Sequence, residues 1–270
     1  MTDRDLPPIL RGKNHEAPSF FKPESLLREA RRQKAAESKP VPELCLLDPD
    51  GDIVRRLKRE GRARLHKDWV CYHTELYVFE EDGLTFGVIG CVVGSSFAVL
   101  VAEELFVSGC RLLISITSSG QISETQPPPY FILVDRALRD EGTSYHYLPA
   151  SDYSHAPEPL LDALGGAFDG LETTVLRGAT WTTDAPFRET EQAIQGMRER
   201  GLLAVEMENA ALYAFAQARA KAVLCFAHVT NQMGQIEGDF EKGESDGTTE
   251  ALKLLVAAAR RLAPDRPGGR

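Results

Sequence analysis

Ala204-Val205-Glu206-Met207-Glu208-Asn209-Ala210-Ala211-Leu212-Tyr213 sets two carboxylates and a thioether at the point where an apolar strand passes into an apolar helix. Glu is almost never fully buried unless it is paired, so a Glu-Met-Glu step flanked by Ala, Val and Leu needs donors aimed at it. Two readings meet that need. In one, Glu206 and Glu208 cap the helix N-terminus, where the dipole favours negative charge. In the other, they accept hydrogen bonds from a polyol such as ribose while Met207 packs on the sugar face.

Strand-to-helix junctions of this kind recur along the chain. Apolar runs with strand character fall at 44–47, 71–79, 85–90, 112–117, 130–134, 173–179, 204–207 and 223–229, and helical patterns at 97–107, 189–200, 208–219 and 249–262. Alternation between the two predicts an α/β fold with a mixed or parallel sheet. Residues 1–41 are polar and proline-rich with one helical island at 23–39, and read as an extension. Residues 42–263 form the expected domain, and 264–270 an expected disordered tail.

Composition limits the partners. With 270 residues and 43% hydrophobic content the chain can bury a sizeable core. A net charge of −9 and a pI near 5.3 argue against nucleic acid. No run reaches the ~18 apolar residues of a membrane span. Five cysteines without a Cys-x-x-Cys pair suit reduced thiols in the cytoplasm. Six scattered histidines lack metal-ligand spacing, so no metal is expected.

In α/β sheets ligands gather beyond the carboxyl ends of strands, which directs attention to four junctions. Gly51-Asp52-Ile53-Val54-Arg55 joins a glycine turn to a helix start carrying a guanidinium, a combination that binds oxyanions and is also an ordinary turn signal. Ser115-Ile116-Thr117-Ser118-Ser119-Gly120 is a strand ending in hydroxyls, able to cradle phosphate or ribose or merely to turn. In the loop opening at Gly178, Trp181 or Phe187 can stack on a base whose edge Arg188 or Asp184 meets, although Asp184 followed by Pro186 also reads as a helix cap. At 228–233, Asn231 and Gln232 offer donors and acceptors for a base edge, and His228 reads as a core histidine. Residues 136–147 are polar and aromatic for a connection. Arg139, Thr143 and His146 are candidate contacts over a ligand, or the segment is a surface hairpin at Glu141-Gly142.

Gly51-Asp52-Ile53-Val54-Arg55, Ser118-Ser119-Gly120 and Val205-Glu206-Met207-Glu208, in this order, resemble the nucleoside phosphorylases of the purine and uridine phosphorylase superfamily. The likeness runs from about Leu44 to Leu262. It implies a single α/β domain with a mixed, partly closed central sheet flanked by helices. It also implies assembly as a homo-oligomer (dimer, trimer or hexamer) and no metal or organic cofactor, with inorganic phosphate as co-substrate. The implied reaction cleaves the N-glycosidic bond of a purine or uridine-like nucleoside with phosphate, giving free base and (deoxy)ribose 1-phosphate.

By the same resemblance, Gly51 and Arg55 bind phosphate, Ser118 lies between phosphate and ribose, Met207 and Glu208 hold the ribose, and Phe187 and Asn231 face the base. The residue readings add Glu206 to the ribose site and Arg188 and Gln232 to the base site, and Glu208, Asn231 and Arg55 are the expected catalytic set. Two departures stand out. Ser115 occupies a position where many phosphorylases carry arginine, and Arg62, Arg64 or Lys67 of a neighbouring subunit are the substitutes considered. Asn231 stands where the purine enzymes carry an acidic proton donor, and an amide cannot be that acid. Hydrolysis of the same bond by water, or nucleoside sensing without turnover, are the alternatives these departures open.

Overall fold

A computed structural model describes residues 6–233, 237–240 and 242–262; the expected tail at 264–270 lies outside them. The strands are β1 (Leu44–Asp48), β2 (Arg64–Leu65), β3 (Tyr77–Glu81), β4 (Leu84–Gly90), β5 (Leu112–Gln121), β6 (Tyr130–Asp140), β7 (Tyr153–His155), β8 (Val175–Thr183), β9 (Ala204–Glu206) and β10 (Ala222–Asn231). The helices are α1 (Pro23–Lys34), α2 (Asp52–Arg59), α3 (Ser95–Val107), α4 (Glu158–Ala163), α5 (Glu191–Glu199), α6 (Asn209–Arg219) and α7 (Thr248–Leu262).

β1 pairs in parallel with both β4 and β5, and all five of its residues are buried, as its unbroken apolar run requires of a central parallel strand. From β5 the sheet turns back on itself. β5 pairs with β10, β10 with β6, β6 with β8, β8 with β9, and β9 with β5 again, so five strands close a ring of mixed direction. β1, β4, β3 and β2 extend from β5 as an open wing. This is the mixed, partly closed α/β sheet expected.

The helix after Glu208 is buried along Asn209–Ala216, which explains why its sequence is apolar on every side. Tyr213 within it donates to the Val134 carbonyl at 2.6 Å and accepts from the Cys225 amide at 3.0 Å, tying β6 to β10. Helix α1 buries Leu27 and Ala30 against Val70 and ends at Lys34 rather than Lys39, where Ala35 takes a left-handed conformation. Three of its four cations are engaged locally: Arg28 and Arg32 pair with Glu29, and Lys34 donates to the Val70 and Cys71 carbonyls.

Three expectations need correction. Residues 71–76 are not strand, because Cys71 Sγ accepts the His73 amide and Thr74 Oγ1 accepts Trp69 Nε1, which fold this stretch as a turn. Ser118-Ser119-Gly120 is not a loop but the continuation of β5, held by β10 on one side and β9 on the other. Residues 136–140 likewise continue β6, paired with β8 and β7. Among the described residues no helix is long and apolar enough to cross a membrane.

Candidate active site

The carboxyl ends of β1, β5 and β10 meet at one corner, with the β9-to-α6 junction beside it. At that junction the two glutamates divide the readings made of them. Glu206 Oε2 accepts the amides of Glu208 (2.7 Å) and Asn209 (2.8 Å), which are otherwise free at the start of α6. Its Oε1 accepts the hydroxyls of Thr180 (3.0 Å) and Thr182 (2.5 Å). Four protein donors fill this carboxylate, so it occupies a helix cap rather than facing a ligand. Glu208 turns the other way. Its Oε1 accepts the Gly94 amide at 2.7 Å and its Oε2 the Thr117 hydroxyl at 2.9 Å, placing it against the β5 end. Burial, then the charge of Glu206, pushes its pKa up to about 8. Met207 lies between them, half-buried, with its carbonyl held by Ser95 Oγ at 2.7 Å.

Gly51 opens α2 with φ of 78°, and a Cβ there would stand 2.7 Å from Arg55 Nη1 and 2.6 Å from Cys91 Sγ; only glycine lets the guanidinium fold back over the turn. Arg55 donates to the Asp50 carbonyl at 2.7 Å and to Asp52 at 2.5 Å. The Ser118 amide donates to Asp50 Oδ2 at 2.8 Å, and the Gly51 amide to the Asp48 carbonyl at 2.9 Å. Lys242 pairs with the other oxygen of Asp52. Between these groups lies a cavity of about 20 Å³ lined in part by Asp48, Asp50, Asp52, Ser118 and His228. Burial raises Asp48 to about 7. Burial first, then the charge of Lys242, lowers His228 to about 4, so its ring is neutral near pH 7; it stacks on Phe131 at 4.4 Å between centroids.

The sequence pattern of the phosphorylase superfamily matches residues 29–262. The chain belongs to that superfamily. This phosphorylase-superfamily chain is 25% identical over 166 residues to a guanosine phosphorylase of Halorubrum lacusprofundi, covering 61% of this chain and 68% of that protein. It is 30% identical over 171 residues to a DeoD-type purine nucleoside phosphorylase of Bacillus cereus, covering 61% and 70%. A solved uridine phosphorylase of Vibrio fischeri ES114 shares the fold, with a TM-score of 0.69 at 20% identity over 85% of this chain and 95% of that one.

Within the superfamily chain, Gly51, Arg55, Ser118, Met207 and Glu208 are thus drawn to one corner. Asn231 is buried beside it: its Nδ2 donates to Thr230 Oγ1 at 3.1 Å, and its Oδ1 accepts the Met233 amide at 2.9 Å. Gln232 is exposed and reaches Gln121 Oε1 at 3.5 Å. Phe187 and Arg188 are not brought in. They sit on a 3-10 turn with Phe187 99% exposed, because Pro186 starts that turn before α5 and, among the described residues, nothing packs on the ring. Arg139 lies apart as well; it is buried and staples its own turn through Ser144, Leu148, Pro149 and Ser151. His146 pairs with Lys13, and Arg62 with Glu60 and Glu81.

Sequence reading missed Asp50 as the acceptor of the Ser118 amide, and Gly94 and Thr117 as the donors to Glu208. The alternation Ser115, Thr117, Ser119 along one strand face is the signal that was available for Thr117.

Proposed function

We propose that the chain cleaves the N-glycosidic bond of a purine or uridine-like nucleoside and transfers the ribosyl group to phosphate, releasing free base and (deoxy)ribose 1-phosphate. The observation that carries this reading is the buried Glu208 carboxyl held by Thr117 one residue from Ser118, which itself abuts the Gly51–Arg55 turn. A sugar grip and an anion turn therefore share one strand end. In the reaction the C1′–N bond breaks with its electron pair passing to the base, and a C1′–O bond to phosphate forms. The ribosyl group becomes cation-like on the way, as in glycoside cleavage generally. Glu208 as carboxylate accepts ribose hydroxyls and stabilises that charge, Met207 packs on the sugar, and Arg55 with the Gly51 turn orients phosphate. Asn231 and Gln232 stabilise the departing base by hydrogen bonding, which suits uracil or a 6-oxopurine better than adenine. The reaction needs no metal or organic cofactor, and we place it in a cytoplasmic homo-oligomer.

One observation favours water as the acceptor instead. The Ser118 amide, the Gly51 amide and Arg55 are already bonded to Asp50, Asp48 and Asp52, and the cavity among them, about 20 Å³, has room for a water but not for phosphate while Asp50 stays in place. Incubating the purified protein with uridine, inosine, guanosine and adenosine, with and without phosphate, tests both. Phosphate-dependent base release with a sugar phosphate as second product is the expected result. Base release at equal rate without phosphate would overturn phosphorolysis in favour of hydrolysis.

A further inference from the structure

Next to the corner lies a much larger space, a cleft of about 810 Å³ between α5 and the ends of β5 and β10. It begins where a base would end. Gln121 follows Gly120 on β5, and Gln232 follows Asn231 on β10; both line the cleft. Gly120 itself is approached so closely by Met233 that a Cβ would stand 2.3 Å from its sulfur. Pockets for whole drug-sized ligands span ~300–1,000 Å³, so this cleft exceeds the needs of one planar base.

Its walls are polar and unbalanced in charge. Glu124, Glu189 and Glu191 face it against one cation, Arg198, whose Nε donates to the Ile122 carbonyl at 3.0 Å and whose Nη1 donates to Gln195 at 3.3 Å. The Glu189 carboxylate is half-buried and, among the described residues, accepts no hydrogen bond, although its backbone amide donates to the Pro186 carbonyl at 3.4 Å. Resting on the nucleoside reading above, we infer that the preferred substrate is a nucleoside whose base carries an extended substituent ending in an amine, seated in this cleft against Glu189 and its acidic neighbours. A terminal ammonium supplies the donor that the Glu189 carboxylate lacks and favours its ionised form, whereas a carboxylate or phosphate there meets the acidic side chains of Glu124, Glu189 and Glu191.

The test uses two matched series: uridine, 5-(3-aminoallyl)uridine and 5-carboxymethyluridine, and adenosine with N6-(6-aminohexyl)adenosine. Binding is measured by calorimetry and base release by chromatography. In at least one series the amine form should bind about tenfold tighter than its parent, the size of one charge-assisted hydrogen bond. The carboxymethyl form should bind worst. Glu189→Gln should shrink the amine-to-parent ratio. Equal or weaker binding of the amine forms in both series would overturn the inference. Tight amine-dependent binding without base release would instead keep the cleft assignment and overturn the reaction.

Discussion

Glu208 is 1% exposed and, with burial pushing its pKa up to about 8, is mostly protonated at neutral pH. The proposed role requires the carboxylate, because ribose hydroxyls must donate to it. The nucleoside kcat/KM should therefore rise with pH through about 8, and Glu208→Gln should remove that limb and lower kcat/KM by about 10²–10³, the scale of losing one preorganised charge-stabilising group. A full-activity Gln variant with an unchanged pH profile would reject the assignment. Arg55→Ala should raise the KM for phosphate about tenfold while the nucleoside KM stays within twofold, since the guanidinium faces the anion turn and not Glu208. Glu208, Gly51 and Arg55 were legible because each sits in a local pattern whose chemistry is set by its neighbours. Asp50 was not, because its bond to the Ser118 amide joins residues 68 apart and depends on how β1 and β5 align.

At the scale of elements, the start of α6 is built on Glu206. Its carboxylate accepts two backbone amides and two threonine hydroxyls, all buried. Glu206→Ala leaves those donors unsatisfied, and at ~1–3 kcal/mol for each buried unsatisfied group the fold should lose at least about 3 kcal/mol, read as a lowered urea midpoint. Glu208→Gln, by contrast, should leave that midpoint near wild type at pH 7. If Glu206→Ala unfolded no more easily than wild type, the cap would carry no stability. The sequence placed this junction within a residue or two, but it ended β5, β6 and β8 early. Ser118-Ser119-Gly120 looks like a turn in isolation; it is strand because β9 and β10, about 85 and 110 residues on, supply its partners. Phe187 lies outside the corner for a related reason: its loop chemistry suggested stacking, while Pro186 and the start of α5 turn the ring outward.

At the scale of the molecule, the ring from β5 through β10, β6, β8 and β9, together with β1 packed against β5, buries ionisable groups. Asp48 and Glu208 have folded pKa values raised to about 7 and 8, while His228 is lowered to about 4. The signs differ. A raised carboxyl contributes stability that is complete below its unfolded value near 4 and is lost as pH rises through the folded value. A lowered histidine contributes stability that is complete above about 6.5 and is lost as pH falls toward 4. Between about pH 4.5 and 6.5 the two trends oppose one another. Above 6.5 the histidine is neutral in both states, and only the carboxyls still titrate. Two raised carboxyls outweigh the one histidine, so the melting temperature should fall from about pH 5 to 8 and level off above that. Glu208→Gln should soften that fall, because the amide has no charge to force into the core. A melting temperature that stayed level from pH 6.5 to 8.5 in the wild-type protein would mean these carboxyls ionise in the folded state as they do in water, and would remove the basis for the pH-dependent activity as well.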